Sequence, residues 1–184
     1  HQGTTYAVFR ELAPGFDHTG IDPKEGITVW IALSEARRES GCMQMIPKSH
    51  LGGIVEHHDC FGEDNILTRG QTIEGIKEEE ALDVTLKPGQ MSLHHVRNIH
   101  SSSPNRSDDR RIGLALQSFI PTSLRQTLGE DYALLMRGKD PDQHFLRARR
   151  PQSAYDPEGA KFRETVNQRF SEILYHGSMK KRAY

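Results

Sequence analysis

Three histidines, His94, His95 and His100, run into the polar turn Ser101-Ser102-Ser103-Pro104-Asn105. The arginine pair Arg110-Arg111 follows. No other stretch of the chain concentrates so many chemistry-bearing side chains. A histidine at a strand end, a Ser/Pro/Asn turn and a strand opening on arginine together suit a metal pocket that also binds an anion. A metal-bound imidazole needs a fixed ring, and the end of a strand supplies that rigidity. The Arg111 fork could meet a carboxylate through two parallel hydrogen bonds. A polar loop ending in a surface arginine pair would give the same composition. His94 and His95 are neighbours in one strand, so their side chains face opposite ways. One faces the pocket, with His94 the candidate substrate contact, and the other is packed or exposed. The chain opens on another histidine, His1, followed by Gln2-Gly3. A first-residue histidine reads either as a tag remnant or as a ligand.

The elements that must hold these residues are mostly strands. Segment 27–33 alternates Ile27, Val29, Ile31 and Leu33 with Thr28, Trp30 and Ala32, which predicts a strand with aliphatics on one face. A short strand is predicted at 42–46, ended by Pro47. Strand character returns at 83–86 and 90–96, and Pro88-Gly89 between them is a hairpin signal. Segment 111–119 alternates Ile112, Leu114 and Leu116 with Gly113, Ala115 and Gln117, and the small residues predict a close approach on their face. Residues 50–82 read as a long polar excursion. Residues 123–137 read as helical. The clearest helix spans 158–176, with Asp156-Pro157 opening it, Phe162, Val166, Phe170 and Ile173/Leu174 on one face, and Gly177 past its end. Strands followed by C-terminal helices predict a mostly-β domain with packed helices.

Composition narrows the function classes. The 184 residues fit one domain, and Lys+Arg 24 against Asp+Glu 25 leaves a net charge of −1. That balance argues against a nucleic-acid polymer as partner. No apolar run approaches the roughly 18 residues of a membrane span, and no signal-peptide pattern opens the sequence. Cys42 and Cys60 cannot build a disulfide framework, which favours a cytoplasmic setting. His57-His58-Asp59-Cys60 has a metal-site composition but reads as a rim loop. His144 and His176 read as surface residues in helical surroundings. Arg147, Arg149 and Arg150 read as a solvated face, or as a contact for a phosphate-bearing or carrier-tethered substrate.

Six blocks in order resemble the phytanoyl-CoA dioxygenase family of Fe(II)/2-oxoglutarate oxygenases. They are His1-Gln2-Gly3, Thr28 to Leu33, Ser40-Gly41-Cys42-Met43, Ile46-Pro47-Lys48-Ser49-His50, Pro88-Gly89-Gln90 and His100 to Asn105. The resemblance implies a double-stranded β-helix, the cupin-like jelly roll. It places iron on His1 and His100, and the far carboxylate of 2-oxoglutarate on Arg111 with Trp30 and Ser102 nearby. The cofactors implied are Fe(II), 2-oxoglutarate and O2, which convert an unactivated C–H through a ferryl intermediate. In this family the proximal histidine lies well inside the chain. The resemblance therefore implies that 1–184 is the C-terminal part of a longer catalytic domain, with core motifs over 1–121 and a helical region over 122–184.

Two positions depart from the family pattern. Lys48 stands where the turn usually has Gly, which puts that turn's geometry in question. More consequentially, Gly3 stands where the family has the Asp ligand, and glycine cannot ligate. One explanation is halogenation: related enzymes leave this position to chloride, which then joins the substrate radical. Another is a hydroxylase with a natural or engineered ligand loss. A third is a relative with weak metal binding, a substitute carboxylate from Glu11 or Asp17, or a non-catalytic jelly-roll binding protein. The first is favoured here, with a small-molecule or carrier-tethered substrate and no membrane partner. The stretch 7–20, which holds Glu11 and Asp17, could instead be a lid or substrate wall, and Thr5, Tyr6 and Phe9 are candidate pocket residues.

Overall fold

The structure is a computed structural model that describes residues 20–22, 25–52, 55, 58–59, 71–73 and 75–178. In chain order its strands are β1 (Ile21–Asp22), β2 (Ile27–Ala32), β3 (Met43–Met45), β4 (His58–Asp59), β5 (Gln71–Thr72) and β6 (Leu82–Val84). There follow β7 (Met91–His95), β8 (His100–Ser102), β9 (Gly113–Phe119), β10 (Arg125–Gln126), β11 (Tyr132–Ala133) and β12 (Leu146–Arg147). Helix α1 (Pro157–Leu174) comes last. The fold is mostly β with this C-terminal helix, as the strand periodicities predict. The described residues fall into two compact units, one over 25–120 and one formed by 20–22 with 121–178.

The first unit carries two three-stranded antiparallel sheets, ordered β7-β2-β9 and β6-β3-β8. The β-branched residues Ile27, Val29 and Ile31 make β2 a strong central strand. Its pleat sends them to one face and Thr28, Trp30 and Ala32 to the other. Register extends the division across the sheet. Val29 lies between Leu93 and Leu116, and Trp30 between Ser92 and Ala115. One face is therefore aliphatic, and it is exposed: Leu93 keeps 66% of its accessible surface and Leu114 47%. The other face combines Thr28, Trp30, Ser92, His94, Gly113 and Ala115. The close approach predicted at the small residues is the Trp30 indole, which occupies the space a Cβ at Gly113 would need. In the second sheet, register puts His100 beside Met45 and Ser102 beside Met43 on one face. Gln44, Ser101 and Asp83 share the other.

The predicted hairpin at Pro88-Gly89 is a correction. β6 and β7 do not pair; they belong to different sheets. The turn does form, with the Gln90 N–H donating to the Lys87 carbonyl (3.0 Å). But the Gly89 N–H donates to the Ala32 carbonyl (2.8 Å), so the chain is handed across to the β2 sheet. A turn signal fixes a reversal and says nothing about which strand the next run will find.

The second unit holds β1 paired with β10, β11 paired in parallel with β12, and α1. The helix predicted over 123–137 is absent. The Leu128 N–H donates to the Gln126 side chain and the Tyr132 N–H to the Asp131 carboxylate, which takes two donors that a helix would need. The two short strands there pair with distant segments. The C-terminal helix matches its signals: the Asp156 carboxylate accepts from the Glu158 N–H, Pro157 sits in the first turn, and Ile173 and Leu174 are buried. Arg149 is tied to Asp156 at 2.7 Å, so part of the basic cluster serves this helix start. His144 is exposed but lies outside any helix, and His176 lies just past α1.

Candidate metal and cosubstrate site

His100 opens β8 and is buried, at 3% exposure. Its Nδ1 lies 2.8 Å from the Asn98 carbonyl. A carbonyl only accepts, so Nδ1 carries the proton and Nε2 the lone pair, the arrangement in which a metal ligand is oriented by its far nitrogen. Burial holds its pKa below the usual histidine value, partly offset by that hydrogen bond. The ring is therefore neutral and able to donate its lone pair at neutral pH.

The segment bearing this ring is fixed by the 46–50 turn. The Ile99 N–H donates to Ser49 Oγ at 2.8 Å, and the Ser49 hydroxyl donates to Asn98 Oδ1 at 3.2 Å. The Ile46 N–H donates to the Ile99 carbonyl at 3.0 Å. Sequence reasoning missed Ser49 and Asn98 because neither type is a metal ligand by itself. The turn keeps its shape at Lys48, which adopts φ 63°, the left-handed conformation for which glycine is the natural choice.

His94 and His95 divide as strand alternation requires. His94 is buried, and its ring centre lies 5.4 Å from that of His100, so the two sheets meet at these imidazoles. Burial and the neighbouring His100 lower its pKa to about 4. Its Nδ1 is buried with no hydrogen-bond partner, as is Ser92 Oγ two residues earlier on the same face. His95 points away. Its Nε2 meets the Glu25 carboxylate at 3.0 Å, its Nδ1 accepts from the Arg97 N–H at 3.1 Å, and the His50 ring stacks against it. The His95 contact holds the Glu25 carboxyl below its ordinary pKa.

Arg111 and Trp30 come together. The guanidinium carbon lies 5.6 Å from the indole centre, and burial lowers the arginine's pKa. No carboxylate among the described residues pairs with it. Trp30 is itself seated by Gly113. Ser102 lies two residues beyond His100 on the same face of β8. His1, Gly3, Thr5, Tyr6 and Phe9 lie outside the described residues, as do His57 and Cys60. Among the described residues no group of three His, Cys, Asp or Glu side chains could hold a metal ion.

The described groups nevertheless fit a metal and a dianionic cosubstrate. His100 offers a fixed lone pair, His94 a buried nitrogen without a partner, and Arg111 a half-buried cation without a carboxylate. Among the described residues no carboxylate stands on these faces to neutralise them.

The chain is similar to known proteins in a consistent way. The phytanoyl-CoA dioxygenase family matches residues 1–113. A probable alpha-ketoglutarate-dependent hypophosphite dioxygenase of Stutzerimonas stutzeri is 31% identical over 130 residues, 67% of this chain and 44% of that protein. Phytanoyl-CoA dioxygenase of Arabidopsis thaliana is 29% identical over 108 residues, 58% of this chain and 38% of that protein. Among solved structures, apo ThoJ, a non-heme monooxygenase, matches with a TM-score of 0.75 at 30% identity, over 94% of this chain and 62% of ThoJ. Its nickel complex matches with 0.69 at 29% identity. The chain thus spans less than half the length of these two curated relatives. No helix among the described residues is long and apolar enough to cross a membrane.

Proposed function

We propose, from the premise that the chain belongs to the phytanoyl-CoA dioxygenase family, that it oxidises a C–H bond of a small molecule with Fe(II), 2-oxoglutarate and O2. The observation that carries this reading is the buried His100 imidazole, whose Nδ1–H is held by the Asn98 carbonyl so that Nε2 carries the lone pair a metal would take. His100 would hold the iron together with His1. Arg111 would hold the far carboxylate of 2-oxoglutarate, with Trp30 against the guanidinium and Ser102 nearby. The bound metal supplies the oxidative chemistry; the chain's residues bind, orient and exclude water. Partial burial of Arg111 strengthens its attraction for a carboxylate, because less water competes for either charge.

Hydroxylation is the outcome favoured by the comparison with ThoJ, described as a monooxygenase and similar over 94% of this chain. A second reading is chlorination, favoured by Gly3, which leaves no carboxylate two residues after His1 and so leaves room for a halide. A carrier-tethered substrate is compatible with either. The test is anaerobic reconstitution with Fe(II) and 2-oxoglutarate, then O2 with candidate substrates in chloride, bromide or halide-free buffer. Products sixteen mass units heavier in all three buffers support hydroxylation. Products whose mass follows the halide establish chlorination instead, and Gly3→Asp should then abolish it. No Fe(II) binding and no succinate formation would overturn both and leave a binding protein.

A further inference from the structure

We propose that His95, on the outer face of β7, is a positioning residue for His100: it holds the connection between them in the shape that orients the His100 ring. This inference rests on the reading of His100 as a metal ligand and deepens it.

The connection 96–99 carries the chain from the β7-β2-β9 sheet to the β6-β3-β8 sheet, so its shape decides where His100 lands. Val96, Asn98 and Ile99 are buried there, which leaves little water to replace a lost partner. The Val96 N–H donates to the Gly26 carbonyl at 3.1 Å and the Asn98 N–H to the His95 carbonyl at 2.9 Å. The other two N–H groups go to side chains. Ile99 donates to Ser49 Oγ at 2.8 Å, and Arg97 donates to His95 Nδ1 at 3.1 Å. Ser49 thus pegs the end of the connection and His95 its start. The Asn98 carbonyl between these pegs is the acceptor for His100 Nδ1.

The His95 ring does this in one tautomer. A backbone N–H only donates, so Nδ1 keeps its lone pair and Nε2 carries the proton. That proton is donated to Glu25 Oε2 at 3.0 Å. Glu25 and Gly26 are neighbours, so one short segment secures both the ring and the Val96 N–H. The other Glu25 oxygen lies 3.8 Å from Arg97 Nη2, and the His50 ring packs on the imidazole. A side chain that accepts from the N–H two residues on is the arrangement of an Asx-turn. Asparagine at position 95 would therefore serve, and an apolar residue would not.

The test measures Co(II) affinity by calorimetry and the visible absorption bands of bound Co(II), which follow ligand geometry. The proteins are the parent, His95→Leu, His95→Asn, Glu25→Ala and His100→Ala. His95→Leu should bind Co(II) roughly 10- to 100-fold more weakly, with shifted bands. His95→Asn should recover affinity and bands, because its Oδ1 accepts the Arg97 N–H. Glu25→Ala, at an exposed position, should lose affinity in the same direction, and it decides the question should His95→Leu fail to fold. Unchanged affinity and bands in His95→Leu and Glu25→Ala, or a loss that His95→Asn does not recover, would overturn the positioning role. Unchanged binding in His100→Ala would overturn the metal site itself.

Discussion

Ser49→Ala separates holding the fold from holding the ligand. The Ser49 hydroxyl accepts from the Ile99 N–H at 2.8 Å and donates to Asn98 Oδ1 at 3.2 Å. Both neighbours are 8% exposed, so water does not readily replace the lost oxygen. Leaving the Ile99 N–H unsatisfied costs about 1–3 kcal/mol, and the bond to Asn98 adds about 1 kcal/mol, for a total of about 2–4 kcal/mol. The loss should appear as a lower urea midpoint at unchanged m-value. Asn98 also orients His100 through its carbonyl, so a looser Asn98 lets the imidazole turn. Removing such an outer partner weakens metal binding roughly 10- to 100-fold. Calorimetry with Co(II) on the folded variant measures that second effect, and Ser49→Thr, which restores a hydroxyl, should recover most of both. An unchanged urea midpoint would refute the hydrogen-bond accounting. A lowered midpoint with unchanged Co(II) affinity would refute the positioning role and leave Ser49 a structural residue.

Arg111→Ala should weaken 2-oxoglutarate binding by about 2–3 kcal/mol, roughly 30- to 150-fold in Kd, because the cosubstrate carboxylate loses its charged partner; an unchanged Kd by calorimetry would remove Arg111 from the site. Gly113→Ala forces the Trp30 indole to move and should cost about 1–3 kcal/mol of stability, read by denaturant titration, with weaker 2-oxoglutarate binding because Arg111 lies over that ring. Lys48→Gly removes a left-handed side chain and should stabilise the protein by about 0.5–1 kcal/mol, with Co(II) affinity unchanged. Hydrogen bonds, led by the one from the Gln152 N–H, and the Arg149 charge hold the Asp156 carboxyl below its ordinary pKa. Its contribution is therefore complete above the unfolded value of about pH 4 and is lost as pH falls through the lower folded value. Asp156→Ala should lower the melting temperature at pH 7, and the difference from the parent should shrink in acid.

What was legible in the sequence was whatever a local period or a covalent restriction dictates. The β2 and β9 alternations, the Asp156-Pro157 helix start and the opposite orientations of His94 and His95 all follow from two- or four-residue geometry. The close packing at Gly113 was legible because an absent side chain is a spatial statement. What failed was pairing over distance. Pro88-Gly89 announces a turn, but β6 finds β3 and β7 finds β2, since each strand's partner is chosen by its buried face. The helix over 123–137 failed for the same reason, once Gln126 and Asp131 diverted local donors. Ser49 and Asn98 were invisible because their value lies in two hydrogen bonds across separations of 49 and 50 residues.

The two sheets also bear on why the proposed site would attract an anion. The described carboxylates near it are turned outward: Glu25 meets His95 on the far side of β7, and Asp83 shares the outer face of its sheet with Gln44 and is paired with Arg38. The inward groups are His94, His100, Thr28, Ser92, Ser102 and the Arg111 cation. Strand alternation produces this separation automatically, because one residue's shift along β6 or β7 would swap the faces. A half-buried arginine lacking a described carboxylate partner, in the same unit as imidazoles kept neutral by burial, is a costly arrangement unless a ligand completes it. A divalent metal alone would add to the positive charge. A dianion binding with the metal brings the charges into balance, which is why iron and 2-oxoglutarate are better explained together than separately. The same balance makes a clear demand on binding order. Co(II) affinity should rise when 2-oxoglutarate is present, and by linkage 2-oxoglutarate affinity should rise equally when Co(II) is present.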